Sequence, residues 1–326
     1  MNNSTTIQPI TPDELTAFSS WADSIVSECS KVIVGKEDVI RKVLISYLCG
    51  GHVLLEDLPG TGKTMLLRAF SQVVGGEFHR IQFTPDLLPS DLTGINFYNQ
   101  KSGEFQFRKG PLFADVILAD EINRATPRTQ SSLLEAMEEH QITVDGTTYP
   151  LAKPYFVMAS QNPLESQGTF PLPEAQIDRF FMRLTLGYMS KEQEISVLMR
   201  PASTRILEDI KPIVTRDETL HFMELLNNIT VSETVAGYLM DIIWATRKQS
   251  KYHAGVSTRG ALALYHASQV CAAMEGRSFV IPEDVKAMAI PVLAHRVSGN
   301  MGIRSEAEAY MNKILSEVAV PLEKQN

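Results

Sequence analysis

The stretch LLEDLPGTGKT places glycine, lysine and threonine at the spacing of a phosphate-binding loop. The general pattern GxxxxGK[ST] begins with glycine, whereas this chain has Asp57 at that position. Gly60 and Gly62, which permit a positive φ and close approach of the backbone to a ligand, are both present. Lys63 can reach the outer phosphates of a nucleotide, and the Thr64 hydroxyl can ligate Mg²⁺. We therefore predict a working loop, with a decayed site or a chance match as the alternatives.

A second group of chemically active side chains ends the apolar segment VILADE. Asp120 and Glu121 would reach the carboxyl edge of a parallel sheet, beside the phosphate loop. There Asp120 can hold magnesium, and Glu121 can polarise the water that attacks a phosphate. An ordinary strand that ends in two solvated acids is the alternative. The presence of both elements in one chain favours the catalytic interpretation.

Three further polar side chains are candidates for the same site. The segment YFVMASQNP ends in Gln161 and Asn162, and the Asn162 amide could orient the attacking water. Arg179 lies near the end of a short predicted helix, and Arg259 lies just inside a helix start, where the macrodipole disfavours a cation. Arg259 is therefore expected to have an anionic partner. The alternative interpretations are a helix cap or turn before Pro163 for Asn162, and surface ion pairs for the two arginines.

The elements that must position these residues alternate along the first half of the chain. Short apolar segments predict strands in HVLLE, RIQF, DVILADE, YFVMAS and MRLTLGY. Helical spacing of apolar residues occurs in MLLRAFSQVV and TPRTQSSLLEAMEEH. Strands that alternate with helices predict an α/β fold of three αβα layers, with a parallel sheet covered on both faces.

Two segments interrupt this alternation, and each predicts an inserted β-hairpin. INFYNQKSGEFQF alternates apolar and polar residues around positions 101–103, and QITVDGTTYPL does so around the turn signal at 145–146. From about Ser190, the segments SETVAGYLMDIIWATRKQS, TRGALALYHASQVCAAM and PEDVKAMAIPVLAHRV predict helices. We predict an αβα domain over residues 1–189, with a short N-terminal helical extension, and an all-α domain over residues 190–326.

Bulk properties limit the classes of protein to which such a site could belong. The chain has 326 residues, 44% hydrophobic and 21% charged, which is enough for a full core and two domains. No apolar run reaches about 20 residues and no signal peptide is visible, so a cytoplasmic protein without membrane insertion is expected. The three cysteines lie far apart, which argues against a zinc site or a disulfide framework. The net charge of −8 argues against nonspecific wrapping of nucleic acid.

Four phrases of the sequence together resemble the AAA+ ATPases, and specifically the MoxR family. They are LLEDLPGTGKT, VILADEINRATPRTQSSLLEAMEE, VMASQNPLESQGTFPLPEAQIDRFF and STRGALAL. The resemblance extends from about Val32 to the C-terminal helices. It implies a P-loop NTPase core, a helical lid domain, and assembly into a homo-oligomeric ring, usually a hexamer. It also implies ATP and Mg²⁺ as ligands, and ATP hydrolysis coupled to remodelling or maturation of a client protein complex, often one with a von Willebrand factor A domain.

The resemblance also implies roles for individual residues. The matched positions are Val34 and Gly35 for the adenine pocket, Pro59, Gly60, Thr61, Gly62, Lys63, Thr64 and Met65 for the Walker A loop, Asp120 and Glu121 for Walker B, Asn162 for sensor 1, Arg179 for the arginine finger and Arg259 for sensor 2. On this basis Thr64 and Asp120 are the metal ligands, and Asp57 is a departure from the general loop consensus. The two hairpins match insertions that face the pore or the client in such rings.

Other functional classes remain open at this point. A nucleic-acid motor or loader on the same core would have Lys101, Arg108 and Lys109 of the first hairpin as its support, and the acidic balance opposes it. A nucleotide-gated switch would bind ATP with little hydrolysis, and measured turnover separates it from a remodelling ATPase. A related core can also drive metal chelation, but this sequence contains no metal-ligand cluster to support that function.

Overall fold

A computed structural model describes residues 10–162, 168–200, 206–248, 255–297 and 304–321. They form two compact units: an αβ unit, Ile25–Arg216, and a helical unit made of Met1–Ser24 and Asp217–Asn326. These bounds differ from the predicted domains 1–189 and 190–326 at both ends of the αβ unit, since Met1–Ser24 groups with the helical unit and the αβ unit extends to Arg216. The division of the chain into folding domains stays a prediction.

The described strands all lie in the αβ unit. They are β1 (Val53–Glu56), β2 (Phe78–Gln82), β3 (Gly94–Asn99), β4 (Glu104–Lys109), β5 (Val116–Asp120), β6 (Gln141–Val144), β7 (Thr147–Pro150), β8 (Phe156–Gln161) and β9 (Met182–Leu184). The helices are α1 (Pro12–Val32), α2 (Glu37–Leu48), α3 (Lys63–Val73), α4 (Pro89–Thr93), α5 (Pro127–Glu139), α6 (Glu174–Ile177), α7 (Lys191–Leu198), α8 (Ile206–Asp209), α9 (Arg216–Leu225), α10 (Glu233–Lys248), α11 (Thr258–Met274), α12 (Pro282–Leu293) and α13 (Arg304–Glu317). Short 3₁₀ turns lie at Pro111–Phe113, Ile122–Arg124, Leu226–Asn228 and Ala294–Arg296.

The central sheet is parallel and has the strand order β2-β5-β8-β1-β9. Helices flank this sheet, and all residues of β5 are buried. A strand buried on both faces needs apolar side chains in succession, which is why the segments around VILAD read as continuous apolar runs. The parallel sheet and its flanking helices confirm the predicted α/β fold class.

Helix α5 supports the strands that carry the polar ends. It begins at Pro127, a position that suits proline because the first helical turn needs no donated N–H bond. Its residues Leu133 and Met137 pack in one core cluster with Ala119 of β5 and Ala159 of β8. This packing holds β5 and β8 side by side, so the residues that follow each strand reach the same edge of the sheet.

Both predicted hairpins are present, since β3 pairs antiparallel with β4, and β6 with β7. The second hairpin turns at Asp145 and Gly146, which have φ values of 48° and 81°, the left-handed conformation that a tight hairpin turn requires. The Phe107 ring stacks on the Tyr149 ring with centroids 4.4 Å apart, and the Asn96 amide donates a hydrogen bond to Asp145. The two hairpins therefore contact each other outside the central sheet.

The helical unit has an aromatic core at its N-terminal helix. The rings of Phe18 and Trp21 pack against the Phe222 ring, with centroids 5.4 and 5.0 Å apart. Beyond residue 190, the described residues form helices and turns, with an isolated bridge between Thr230 and Phe279. Across the described ranges, no helix combines the length and the apolar character needed to cross a membrane.

A buried histidine makes the stability of the αβ unit depend on pH. The His52 side chain precedes β1 and is 3% exposed. Its Nδ1 accepts the N–H of Val157 at 3.1 Å, so its Nε2, 3.1 Å from the Met137 carbonyl oxygen, is the donor of the neutral ring. Burial lowers the pKa of His52 to about 4, whereas an exposed histidine in the unfolded chain has a pKa of about 6.5.

We expect the αβ unit to lose stability as the pH falls from about 6.5 to about 4. As the pH falls, His52 becomes protonated in the unfolded chain before it does so in the native state. The free energy of unfolding is therefore highest above the unfolded pKa and decreases until the native ring is also protonated. The total decrease is about 3 kcal/mol. Urea unfolding from pH 7.5 to 4.0 measures this loss. The variant His52→Gln should flatten the pH dependence, while the matched variant His79→Gln, at a partly exposed histidine, should not. An unchanged slope in His52→Gln contradicts the assignment.

Candidate active site

A cleft of about 410 Å³ lies at the carboxyl edge of the central sheet. Its wall is formed by the backbone of a glycine-rich loop, by polar side chains at strand ends, and by the Arg80 side chain of β2. The lining residues are Pro59, Gly60, Gly62, Lys63, Thr64, Met65, Arg80, Gln82, Asp120, Glu121 and Asn162. Residues from four separate stretches of the sequence therefore meet in one cleft.

The glycine-rich loop joins the end of β1 to the start of α3. Gly60 and Gly62 have φ values of 83° and 94°, and a Cβ at either position would meet no atom within 4 Å. These two residues are therefore glycine because of the left-handed backbone, and the space above them stays open for a ligand. The helix α3 begins at Lys63, so the first N–H groups and the positive end of its dipole are available to an anion.

The lysine of this loop, Lys63, lines the cleft. The Lys63 Nζ donates a hydrogen bond to the main-chain carbonyl oxygen of Asp57, 3.4 Å away. Thr64 and Met65 follow in the first turn of α3 and line the same cleft. The arrangement presents a cation, a hydroxyl and a helix N-terminus to one small volume, which is the chemistry that recognises a chain of phosphates.

The two acids at the end of β5 are held in different ways. Asp120 is 8% exposed and accepts hydrogen bonds from the Ser160 hydroxyl and from Arg80, whose Nη2 lies 2.7 Å away. Glu121 has a left-handed backbone, with φ 57°, and its N–H donates to the Ser160 oxygen at 3.0 Å. Its carboxylate lies 2.6 Å from the Gln82 amide nitrogen and 3.1 Å from Arg124 Nε.

The backbone of Glu121 is strained. A non-glycine residue with a positive φ costs of order 1–3 kcal/mol and persists where the surroundings determine it. Here the determining contact is the hydrogen bond from its N–H to Ser160 on the neighbouring strand β8. Asp120 and Glu121 both line the cleft, but their carboxylates have different partners. Asp120 contacts Arg80 and Ser160, whereas Glu121 contacts Gln82 and Arg124.

Sequence reasoning missed three members of this arrangement. Arg80 and Gln82 lie two residues apart on β2, and Gln82 is level with Asp120 in the pairing of β2 with β5. The alternation of polar and apolar residues in RIQF was the available signal, because residues two apart on a strand share a face. Ser160 gives no such signal, since a serine inside an apolar strand has many structural uses.

The oxygen ligands present in the cleft fit a magnesium ion. Thr64 supplies a hydroxyl and Asp120 a carboxylate, and Mg²⁺ binds to one or two such protein oxygens together with water and substrate phosphates. Within the described ranges, no group of three or more histidine, cysteine, aspartate or glutamate side chains is placed to hold a metal. Thr64 and Asp120 are therefore the residues that would hold the ion beside the phosphate loop.

Family models match both parts of the chain. The model described as ATPase family associated with various cellular activities (AAA) matches residues 52–182, and the AAA lid domain model matches residues 245–316. Chaperone MoxR1 of Mycobacterium tuberculosis is 38% identical over 91% of this chain and 81% of its own length. The chain belongs to the MoxR family of AAA+ ATPases. The resemblance carried by the four sequence phrases is thereby confirmed.

Two further proteins are similar to this MoxR-family chain over almost its whole length. The uncharacterized protein YeaC of Bacillus subtilis is 44% identical over 92% of this chain and 94% of its own. A crystal structure of a protein of Cytophaga hutchinsonii, provisionally assigned as an ATPase, has a TM-score of 0.87 and is 38% identical. It covers 95% of this chain and 98% of its own. Both parts of the fold, the AAA core and the helical lid, are therefore those of the family.

Not every predicted site residue of this MoxR-family chain lines the cleft. Among the described residues, Val34, Gly35 and Thr61 lie outside its lining, as does Arg179, whose Nε is 3.0 Å from Glu138 on α5. Arg259 is an exposed residue in the first turn of α11, in the helical unit. The roles of the predicted site residues stay predictions.

Proposed function

We propose that this protein is a magnesium-dependent ATPase that assembles into a ring and remodels or matures a client protein complex. The main support for this proposal is the cleft, which brings together the open glycine loop and the side chains of Lys63, Thr64, Asp120 and Glu121. A cation, a hydroxyl and two acids with different environments are the parts that phosphoryl transfer to water requires. A parallel sheet that ends at a helix N-terminus supplies the rigid support for them.

Each residue of the cleft then has a task in hydrolysis. The loop N–H groups and Lys63 hold the phosphates of ATP, and Thr64 and Asp120 hold the metal ion. Magnesium, when bound, offsets charge on the phosphates. Glu121 polarises the attacking water, which lies within reach of the Asn162 amide at the end of β8. The carboxylate of Glu121 faces Gln82 and Arg124, which fix its orientation.

The remodelling part of the proposal rests on family membership and on the hairpin surface. Chaperone MoxR1 carries a chaperone function in its name, and such a function requires a surface that contacts other proteins. On the first hairpin, Tyr98 and Phe105 are 55% and 75% exposed. Exposed aromatic side chains are typical of protein-binding surfaces. We propose a client complex as the partner, such as one with a von Willebrand factor A domain, and a cytoplasmic location.

Lys63→Ala tests the nucleotide site directly. We expect the variant to bind ATP at least tenfold more weakly, because the ammonium group that faces the outer phosphates is lost. Titration with a fluorescent ATP analogue in the presence of Mg²⁺ measures the affinity, and a phosphate-release assay measures turnover. Lys313→Ala, at an exposed lysine of α13, is the matched control and should bind normally. Equal affinity in Lys63→Ala and the wild type would refute the proposed site.

A further inference from the structure

Asp57 stands where the general phosphate-loop pattern has glycine, and its side chain is buried. The residue is 4% exposed. Its carboxylate accepts three hydrogen bonds, from the Thr185 hydroxyl at 2.7 Å, the Leu186 N–H at 2.6 Å and the Gly187 N–H at 3.0 Å. Hydrogen bonds to an ionised carboxylate are stronger than those between neutral groups. A glycine at position 57 has no side chain and could not make these three hydrogen bonds.

The contact continues the sheet beyond the point where its strands stop pairing. The ladder between β1 and β9 ends with Leu55 opposite Leu184. Two residues further, the Asp57 N–H donates to the Gln161 carbonyl on the β8 side, at 3.3 Å, while its carboxylate binds the chain that follows β9. The start of the phosphate loop is therefore fixed on both sides of β1. Lys63 Nζ, in turn, donates to the Asp57 carbonyl.

The chain that Asp57 binds leads to the segment predicted to contact adenine. After Gly187, the Tyr188 carbonyl accepts a hydrogen bond from Lys36 Nζ at 2.7 Å. The side chain of Gln193, in the first turn of α7, covers Gly35 so closely that a Cβ there would collide with it. One continuous connection, residues 185–193, thus touches the phosphate loop at one end and the 34–36 segment at the other.

We infer that Asp57 is a positioning residue that fixes the phosphate loop relative to the 34–36 segment through this connection. The inference rests on the proposed function, because the ligand that spans the two segments is ATP. Asp57 itself does not line the cleft among the described residues. Asp57 acts by preorganisation, because it holds the phosphate loop and the 34–36 segment at a fixed separation before the nucleotide binds. Nucleotide binding therefore costs less conformational entropy.

Asp57→Gly restores the general loop pattern and is the informative variant. We expect nucleotide affinity to fall about tenfold and the KM for ATP to rise with it, while kcat changes less than threefold. Thr185→Val removes one of the three hydrogen bonds and leaves the loop sequence intact; we expect a smaller rise in KM of about threefold. In the double variant, Thr185→Val should add nothing, because its partner is already absent. Affinity is measured with a fluorescent ADP analogue, and folding by thermal unfolding.

Three outcomes would overturn the inference. These are wild-type affinity in folded Asp57→Gly, a loss of stability in both variants without a change in KM, or fully additive effects in the double variant. The proposed function is judged separately, by nucleotide binding of the wild type and of Lys63→Ala. A wild type that binds ATP, together with an unchanged Thr185→Val and an unchanged Asp57→Gly, rejects the positioning role alone.

Discussion

Glu121→Gln should keep nucleotide bound while ATP turnover falls by about 10²–10⁴, the effect of losing a general base. The substitution keeps the size of the side chain and removes the charge that polarises the attacking water. The Gln82 amide now donates to the Glu121 carboxylate, and a neutral amide at position 121 can still offer that donor an oxygen. Nucleotide affinity by fluorescence titration and single-turnover hydrolysis separate binding from chemistry.

Glu135→Gln, at an exposed carboxylate on α5, is the matched control for the loss of one negative charge. It should hydrolyse ATP at the wild-type rate. If Glu121→Gln also hydrolyses normally, the general-base assignment is wrong and Glu121 is a structural residue. If Glu121→Gln binds nucleotide but no longer releases phosphate, the variant becomes a trap, and proteins that co-purify with it identify the client.

Arg179→Ala should bind ATP almost normally and lose about 10³–10⁵ in rate, if the residue acts as an arginine finger in a neighbouring subunit. A cation stabilises the charge that develops on the transferred phosphoryl group. The test is a mixture under assembling conditions. Arg179→Ala subunits keep an intact loop and Lys63→Ala subunits keep an intact finger, so a complete site forms where the two meet. Part of the activity should return when the two inactive preparations are mixed.

The ion pair of Arg179 with Glu138 supplies a control for a structural role. Glu138→Gln removes the same pair, whose side chains are about one-third exposed, and leaves the arginine in place. Such a pair contributes about 0–1 kcal/mol to stability. We expect Glu138→Gln to retain activity. Equal inactivation by Glu138→Gln, or no recovery on mixing when subunits demonstrably exchange, would assign Arg179 to the ion pair instead.

Local patterns in the sequence were sufficient for the strand ends and the turns. Asp120 and Asn162 each follow an apolar run, and the parallel sheet brings them into one cleft as expected. The turn at Asp145 and Gly146 was also predicted, because few residues other than glycine, asparagine and aspartate adopt a positive φ readily. These features depend on residues that are close together in the chain, so the strand ends and the turn can be predicted from the sequence alone.

The surroundings of the acids and of the loop were decided by the tertiary structure. Arg80 and Ser160 both bind Asp120 from 40 residues away in the chain, and no local pattern indicates which carboxylate each would meet. Asp57 is the clearest case, because its sequence position suggested only a departure from a consensus. Its partners, which begin with Thr185, lie 128 or more residues further along. A buried carboxylate needs donors to offset its desolvation, and only the alignment of β1 beside β9 places those donors within reach.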